Sequence, residues 1–547
     1  MPDVVADGHR LPAHPGRSLL DAVAELGVAV PASCRSSGRC HECVVEVSGG
    51  AEQLTPPTEA ESFLAHGFRL ACQARVARTD RDVVLAVLRR PLRILLAAAD
   101  AVAAPVALDP AITVERGTVM RGADPIGPRR GPLLGLALDV GTTSVVFELV
   151  DLESGAVVHV GGFENPQRFG GSDVMTRIAY ERDRPGELRR ALRRALNHAL
   201  AASYRALRVD RHDVYDAVVV GNTTMRDLFF GLDVAPIGAV PFRSVTEAAM
   251  RAGGVSTTAL ARAAHELGMF VHPNAEVFGG PIVGSHVGAD AAADLLATGF
   301  ARRPGVSLLV DIGTNTELVI SNGSRMLAAS SPAGPAFEGG GVASGMPAVD
   351  GAIESVRWEH GDPAWVTIGG ADPVGLCGSG LVDALAGALA RGLLLPEGRL
   401  APGTERVDLV PGARVGLSRR DVSNLAQAKA ATASAARVLM RRLGVVPGDL
   451  DRVILAGGFA NALDVGNAIA IGLLPPVPPD RVVRAGNASV AGARAMLVSR
   501  AARHDLDGLA RRIGHVELEA EPDYFELFTD GCRFEPIGPA PRGPCGG

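Results

Sequence analysis

Apolar residues recur along this chain at helical and at strand-like spacing, and the arrangement of these segments separates a small unit from a large one. Residues 18–28 carry them at helical spacing, and the strand-like segments around them, such as 44–47, are short. From Leu133 onward, apolar strand-like runs alternate with alanine-rich helical stretches such as Glu187–Leu207. The pattern predicts a small mixed unit followed by a large α/β unit.

The charge balance gives no sign of a nucleic-acid or membrane partner. The 547 residues include 54 Lys and Arg against 60 Asp and Glu, a formal net charge of −6. The most apolar stretch, 83–108, is interrupted by charged residues and proline, so no run reaches the ~18–20 residues that cross a bilayer. The first residues lack the basic segment and apolar run of a secretory signal. We therefore expect a cytoplasmic protein that binds neither nucleic acid nor membranes.

The small unit contains a cysteine pattern typical of an iron–sulfur site. Cys34, Cys40 and Cys43 share one loop with the spacing C-x5-C-x2-C, and Cys72 follows on a later segment. Such a set can enclose a [2Fe–2S] cluster, and it is similar to the C-x4-C-x2-C…C arrangement of plant-type ferredoxins. The additional residue in the first gap resembles the adrenodoxin type. The pattern therefore predicts a β-grasp ferredoxin unit that holds a [2Fe–2S] cluster.

A structural zinc ion is the alternative for the same four thiols. Against zinc, the first gap is long for a zinc knuckle, and Cys72 has no cysteine partner beside it. His41 lies between two of the cysteines, and we expect it to be a solvated turn residue because four thiols already complete the site.

Two near-copies of one motif occur in the large unit, LALDVGTTS at 136–144 and LLVDIGTNTELVI at 308–320. In each, an apolar strand ends in an aspartate and is followed by glycine, small polar residues and a second strand. The glycine permits close backbone approach, and successive N–H groups form an anion-binding concavity. The aspartate is placed to orient the water shell of Mg²⁺. A third strand ends at Gly457 and Gly458, on which an adenosine can pack.

These three elements together resemble the ASKHA superfamily of acetate and sugar kinases, actin and heat-shock chaperones. The resemblance implies two ribonuclease-H-like lobes over 133–498, with ATP in the cleft between them. The residues it assigns to the first phosphate site are Asp139, Gly141, Thr142 and Thr143. Those of the second phosphate site are Asp311, Gly313, Thr314 and Asn315, and those of the adenosine site are Gly457, Gly458 and Phe459.

Further segments of the sequence narrow the resemblance from this superfamily to one family. They are NPQRFGGSDVMTRI at 165–178, VVVGNTTM at 218–225, SPAGPAFEGGGVASGM at 331–346, GLCGSGLVDAL at 375–385 and DVSNLAQAKAA at 421–431. With the cysteine loop, they resemble the reductive activators of corrinoid proteins, which join an N-terminal [2Fe–2S] domain to an ASKHA ATPase. The chain departs from that family at 81–132, which is short. The family's separate middle domain is therefore expected to be reduced or missing.

The resemblance implies an ATP-hydrolysing reductase that returns inactive Co(II) to Co(I) in the corrinoid protein of a methyltransferase system. A gap of roughly 200 mV between the reduction potentials of the cluster and the cobalt costs about 5 kcal/mol for one electron, and ATP hydrolysis would supply this energy. We expect the activator to displace a cobalt ligand, the cluster to donate and hydrolysis to separate the partners. Asp139 and Asp311 would hold Mg²⁺ and the attacking water, with Asp173 and Glu338 as candidates for positioning that water. The resemblance also implies an electron-donating reductase as partner, and a homodimer.

Other functions explain part of the sequence. A small-molecule kinase with a redox-sensing ferredoxin unit is the main alternative, and an actin-like or chaperone-like switch would leave the ferredoxin unexplained. Activators of radical or dehydratase enzymes typically share a [4Fe–4S] cluster between two subunits. Cys377 is the only cysteine between 133 and 498, so a dimer would supply two ligands from that position, short of four.

These inferences describe a multidomain α/β protein in five segments. The segments are a ferredoxin unit at 1–80, a linker or reduced middle region at 81–132, the ATPase at 133–498, its C-terminal extension at 499–534 and a disordered tail at 535–547. Glycine, proline and arginine in 121–132 predict that this part of the linker is flexible.

Overall fold

The computed structural model describes residues 2–6, 9–28, 30–88, 106–359, 362–413, 415–458 and 460–538. A five-stranded domain, a three-stranded connector and a two-lobed unit follow one another along these ranges. The multidomain α/β architecture expected from the sequence is confirmed. Phe459, which the resemblance assigns to the adenosine site, lies outside the described residues.

A mixed sheet and one helix build the first domain. Its elements are β1 (Asp3–Ala6), β2 (His9–Pro12), α1 (Leu19–Glu25), β3 (Val44–Gly49), β4 (Phe68–Leu70) and β5 (Val83–Val87). The strand order is β2-β1-β5-β3-β4, with β1 parallel to β5, as in a β-grasp fold. The Ser18 hydroxyl caps α1 by accepting from the backbone N–H of Asp21 at 3.1 Å.

The predicted boundary at residue 80 is wrong, because β5 is the middle strand of this sheet. Val83, Leu85 and Val87 alternate along β5 and are buried in the domain core. Residues 89–105, the next part of the predicted linker, lie outside the described residues.

The connector is a folded antiparallel sheet, which corrects the prediction of a flexible linker at 121–132. Its strands are β6 (Ile112–Glu115), β7 (Thr118–Arg121) and β8 (Asp124–Pro128). Arg121 binds it to the first lobe, with Nη2 2.8 Å from Asp216 Oδ1 and Nη1 3.1 Å from Glu276 Oε1. Local composition suggested flexibility, but these ion pairs with the lobe hold the segment in place.

The two lobes repeat one five-stranded topology, and each sheet has a sixth strand at a different edge. The first sheet has the order β11-β10-β9-β12-β14-β13 and the second β26-β25-β15-β16-β17-β27. The first lobe consists of β9 (Leu134–Val140), β10 (Ser144–Asp151), β11 (Val157–Glu164), α2 (Val174–Asp183), α3 (Glu187–Leu207), β12 (Val214–Val220), α4 (Thr223–Phe230), α5 (Val245–Arg251), β13 (Leu260–Ala263), α6 (Ala264–Leu267), β14 (Glu276–Gly279) and α7 (Ala289–Ala297).

The second lobe carries insertions after its first hairpin. It consists of β15 (Ser307–Ile312), β16 (Thr316–Ser321), β17 (Met326–Ser331), β18 (Ala352–Glu359), β19 (Asp362–Thr367), β20 (Gly375–Leu376), α8 (Gly378–Ala390), β21 (Leu394–Leu395), β22 (Arg399–Leu400), β23 (Arg406–Asp408), β24 (Gly416–Ser418), α9 (Arg419–Leu443), β25 (Arg452–Ala456), α10 (Val465–Ala470), β26 (Val482–Gly486), α11 (Ala488–Val498), α12 (Arg500–Ala510), β27 (Gly514–His515) and α13 (Tyr524–Gly531).

A hydrophobic core shared by both lobes holds them together. Ala137 and Val218 of the first sheet and Leu309 and Ile454 of the second belong to one buried cluster. Helices α7 and α11 pack against each other in this cluster. The shared core leaves the two phosphate hairpins facing one cleft.

The C-terminal segment completes the second lobe, since β27 pairs in parallel with β17. The predicted tail begins too early, because Ile537 is buried in the core of this lobe. Residues 539–547 lie outside the described ranges. No helix in the described ranges has the length and hydropathy of a membrane span.

Candidate functional site

The cysteine loop brings the four predicted thiols together as two pairs. The thiols of Cys34 and Cys40 interact with each other, as do those of Cys43 and Cys72. A [2Fe–2S] cluster has two irons and four protein thiolates, so each iron needs one such pair. Cys40, Cys43 and Cys72 are buried, while Cys34 is partly exposed. The donor set and its pairing fit the cluster predicted from the sequence.

Backbone geometry favours thiolates in this loop. Arg35, Ser36 and His41 have positive φ values of 51°, 61° and 55°. Such left-handed positions turn successive N–H groups toward one concavity. The backbone N–H groups of Arg39 and Cys40 lower the pKa of the Cys34 thiol, and that of Gly38 lowers the pKa of the Cys72 thiol.

The pKa values follow from these contacts. Burial opposes ionisation of Cys34, but hydrogen bonds from Ser37 and the backbone lower its pKa to about 6. The hydrogen bond with Cys43 is the main reason that the pKa of Cys72 falls to about 6. The same contact, together with burial, raises the pKa of the Cys43 thiol. Because the thiolate is the metal-binding form, the lowered pKa values favour Cys34 and Cys72, one cysteine from each pair, as iron ligands.

Packing beneath the loop fixes its shape. A Cβ at Gly38 would lie 2.8 Å from the Ala60 Cβ, which leaves no room for a side chain there. Gln73 donates from Nε2 to the Ser36 carbonyl at 2.7 Å and to the Cys72 sulfur at 3.3 Å. The amide therefore joins the loop to the segment that carries the fourth cysteine.

His41 is not the solvated turn residue that we expected. Its ring stacks on Phe63 with 3.9 Å between centroids, and Nδ1 lies 3.5 Å from Glu187 Oε2. Burial is the main reason that the pKa of His41 lies below its ordinary value. The contact with the first lobe, which the sequence could not show, removes this side chain from solvent.

The two Asp–Gly–Thr segments form the hairpins predicted from the sequence. β9 pairs antiparallel with β10, and β15 with β16. The Oγ1 atoms of Thr143 and Thr314, one from each hairpin, are 2.7 Å apart. Thr143 donates to Glu338 Oε2 at 2.9 Å, and Thr314 donates to the same oxygen. Glu338 therefore bridges the hairpins of the two lobes.

Most of the predicted nucleotide-site residues line this one cleft. They are Asp139, Gly141, Thr142, Thr143, Asp311, Gly313, Thr314, Asn315, Glu338, Gly457 and Gly458. Asp173 is not among them. Its carboxylate accepts from the backbone N–H of Thr176 at 2.9 Å and caps the start of α2. Asp173 is therefore a helix cap, and we no longer assign it to the attacking water.

The cleft also contains residues that the sequence analysis missed. Asn222 caps α4 and donates from Nδ2 to Thr142 Oγ1 at 2.9 Å. Asp290, Glu317, Asn487 and Ser489 also line the cleft. A local signal existed for the two asparagines, since each is an N-cap that closely follows a strand. The order of strands in the two sheets determines which strand ends meet at the cleft.

Buried carboxylates dominate the electrostatics of the cleft. Burial, reinforced by neighbouring carboxylates, raises the pKa of Asp139 well above its ordinary value and that of Asp290 to about 7. Burial likewise raises the pKa of Asp311 to about 6 and that of Glu338 above its ordinary value. The described lining includes no Lys or Arg. Polyphosphate would therefore need a divalent cation beside these acids.

Family models match three successive parts of the chain. A 2Fe-2S iron-sulfur cluster binding domain matches residues 4–77, the RACo middle region 134–303, and the C-terminal ASKHA domain of RACo 305–538. The expectation of a reduced or missing middle domain is therefore wrong. The family's middle region corresponds to the first lobe, which we had counted as part of the ATPase.

Two relatives and a solved structure match most of this chain. The corrinoid activation enzyme RamQ of Eubacterium limosum is 32% identical over 438 residues, covering 75% of this chain and 72% of its own length. A Co(II) methylated amine-specific corrinoid protein reductase of Methanosarcina barkeri is 27% identical over 413 residues, covering 70% and 73%. A solved reductive activator for corrinoid,iron-sulfur protein is 27% identical, with a TM-score of 0.71 and 98% of both chains covered. This chain belongs to the family of reductive activators of corrinoid proteins.

Proposed function

We propose that this protein is an ATP-dependent activator that returns the inactive Co(II) corrinoid protein of a methyltransferase system to Co(I). The observation that carries the proposal is the presence, on one chain, of a paired cysteine loop and a cleft in which Glu338 joins two phosphate hairpins. The names of the relatives in Eubacterium limosum and Methanosarcina barkeri support a corrinoid protein as the target.

The cysteine loop would hold the electron donor. Cys34 and Cys40 would bind one iron, and Cys43 and Cys72 the other. When bound, a [2Fe–2S] cluster supplies a single electron, which is what the change from Co(II) to Co(I) requires. Because Cys34 is partly exposed, an electron-donating reductase would pass its electron to the cluster from the side of this residue.

The cleft would hold ATP and Mg²⁺. Backbone N–H groups of Thr142, Thr143, Thr314 and Asn315 would bind phosphate oxygens, as expected of the two hairpins. Asp139 and Asp311 would hold Mg²⁺ through water. Glu338 touches both hairpins and would position the attacking water. Transfer of phosphate to water depends on positioning and charge stabilisation, so no covalent nucleophile is needed.

The cellular setting is part of the proposal. We propose a cytoplasmic location because thiols of low pKa persist in a reducing compartment. We also propose a homodimer, an expectation taken from the family resemblance.

Activation can be followed by the visible absorption of Co(I) in a mixture of reconstituted protein, reductant, ATP and Co(II) corrinoid protein. Asp311→Asn is expected to abolish ATP-dependent activation and to keep the cluster spectrum. Asp408→Asn, an exposed position in the same lobe, is the matched control and should act as wild type. Full activation by Asp311→Asn would refute the assigned role. ATP turnover stimulated by sugars or organic acids, but not by the corrinoid protein, would favour the kinase alternative.

A further inference from the structure

The ferredoxin domain docks on the first lobe through its cysteine loop. The guanidinium of Arg194, on α3, donates to the carbonyl of Cys40. Glu187 at the start of the same helix lies beside His41. The cysteine loop and α3 are therefore in direct contact.

A second set of contacts joins this domain to one short segment of the first lobe. Arg168 pairs with Glu46 on β3, and the Phe169 ring meets Phe63 edge-on with 5.5 Å between centroids. The backbone N–H of Ala65 donates to the Phe169 carbonyl at 3.3 Å. Arg168 and Phe169 belong to the 3₁₀ turn Pro166–Gly170, which we call the coupling turn.

The coupling turn is bonded to the first phosphate hairpin at its other end. Asn165 caps the turn and is fully buried. Its Nδ2 donates to the Gly141 carbonyl at 2.8 Å, and its backbone N–H donates to the Thr143 carbonyl at 2.7 Å. These bonds hold two carbonyls of the hairpin on the side of Asn165 and so fix the orientation of its peptide groups.

Buried Arg177 supports the coupling turn. Its Nε donates to the Gly171 carbonyl at 3.0 Å, and its Nη1 lies 3.4 Å from Gln167 Oε1. Gln167 is itself fully buried. A turn packed in this way transmits displacement between its ends because close-packed interiors deform little.

We infer that the coupling turn links nucleotide binding to docking of the ferredoxin domain, so that each favours the other. A docked domain braces Arg168 and Phe169, which holds Asn165 and the phosphate hairpin in the binding arrangement. Thermodynamic linkage requires the reverse effect of equal size, so the bound triphosphate tightens docking. After hydrolysis, loss of the γ-phosphate then weakens docking of the ferredoxin domain, which carries the electron. The inference rests on the proposed function only for the identity of the nucleotide.

Hydrogen–deuterium exchange of the reconstituted full chain tests the link without any corrinoid protein. In wild type, a non-hydrolysable ATP analogue should slow exchange at both hairpins, at 165–171 and at 59–70 of the ferredoxin domain. Glu46→Arg and Arg168→Glu should each abolish the effect at 59–70 and weaken analogue binding several-fold. The double variant E46R/R168E, which reverses the pair, should restore both. Visible absorption checks that every variant retains its cluster.

Arg129 and Glu153 provide a matched control pair. Their side chains are 34% and 51% exposed, compared with 31% and 32% for Arg168 and Glu46, and they join the connector to the β10–β11 turn. Reversing either charge there should leave the ferredoxin response unchanged. Slowed exchange at the hairpins without any change at 59–70 in wild type would overturn the coupling alone. No change at the hairpins would overturn the proposed nucleotide site, and the coupling with it.

Discussion

At the scale of single residues, both sites depend on side-chain amides that hold loop carbonyls in place. Gln73 binds the Ser36 carbonyl beneath the cysteine loop, and Asn165 binds the Gly141 carbonyl beneath the first hairpin. The groups proposed to bind the ligands are thiols and backbone N–H groups. Their direction is therefore set by neighbours that need not touch the ligand.

Cys72→Ala should abolish the visible absorption of the reconstituted protein, because it leaves Cys43 without its pairing thiol. Cys377→Ala removes a buried thiol in the second lobe and is the control that should keep the spectrum. An unchanged spectrum for Cys72→Ala would contradict the assigned ligand set. A colourless wild type containing zinc would favour the structural-zinc alternative.

Gly457→Ala should reduce nucleotide binding and thermal stability. Gly457 has a φ of +104°, and a Cβ there would lie 2.3 Å from the Ile312 carbonyl oxygen. A strained backbone position of this kind costs about 1–3 kcal/mol, before the clash with the second hairpin is added. Differential scanning calorimetry with and without an ATP analogue measures both effects. Gly448→Ala, with open space around it, should behave as wild type, and equal behaviour of the two variants would contradict the prediction.

At the scale of elements, short turns join the main sheets to each other. The coupling turn is one example, and the 3₁₀ turn Glu59–Glu61 of the ferredoxin domain is another. Buried Glu61 accepts from Arg69 Nε at 2.8 Å and from the backbone N–H of Leu70 at 2.9 Å, both on β4. Fixing this turn also fixes Phe63 and Ala65, which contact the first lobe.

Glu61→Gln should make the ferredoxin domain less stable at neutral pH and less sensitive to acid. Burial opposes ionisation of Glu61, but the hydrogen bonds from Arg69, Thr58 and Leu70 hold its pKa below the ordinary value. A lowered folded-state pKa contributes stability above the unfolded-state pKa, and that stability is lost as pH falls through the folded value. Urea unfolding between pH ~3 and 7 should give a flatter curve for the variant than for wild type. Parallel curves for the two proteins would show that Glu61 does not cause the loss of stability at low pH.

At the scale of the whole molecule, buried ion pairs join segments that are distant in sequence. Asp216 on β12 is fully buried and receives Arg121 of the connector at 2.8 Å and Arg503 of α12 at 2.6 Å. Asp216, together with the less buried Glu276 that the same two arginines contact, thus holds the connector and the C-terminal segment on the first lobe. Along the chain, this connector lies between the domain that carries the cysteines and the first lobe.

Asp216→Ala should lower the free energy of unfolding by on the order of 3 kcal/mol, because it removes the fully buried partner of two largely buried guanidinium groups and leaves them only the more exposed Glu276. Thermal unfolding measures the loss, and faster proteolysis of the connector should accompany it. Asp183→Ala, at a side chain that is 70% exposed, is the control and should change stability little. A loss at Asp216 no larger than that at Asp183 would contradict this anchoring role.

Local chemistry was enough to predict much of this protein. Helix α3 spans the predicted residues 187–207, and the two hairpins form where glycine and small polar residues interrupt apolar strands. The four cysteines were identified by spacing alone. These features depend on residues near each other in sequence, whose periodicity and turn preferences are visible without a structure.

Long-range packing decided the rest. Strand β5 joins the ferredoxin sheet and the connector folds against the first lobe, both against expectation. The contact of the coupling turn with both the phosphate hairpin and Glu46 also belongs to this class. Such contacts join residues tens to hundreds of positions apart, and the order of strands brings them together. The sequence by itself determined the cysteine site and the phosphate hairpins, because both depend on local spacing. The tertiary structure decided how these two sites are connected, because that connection depends on contacts between distant residues.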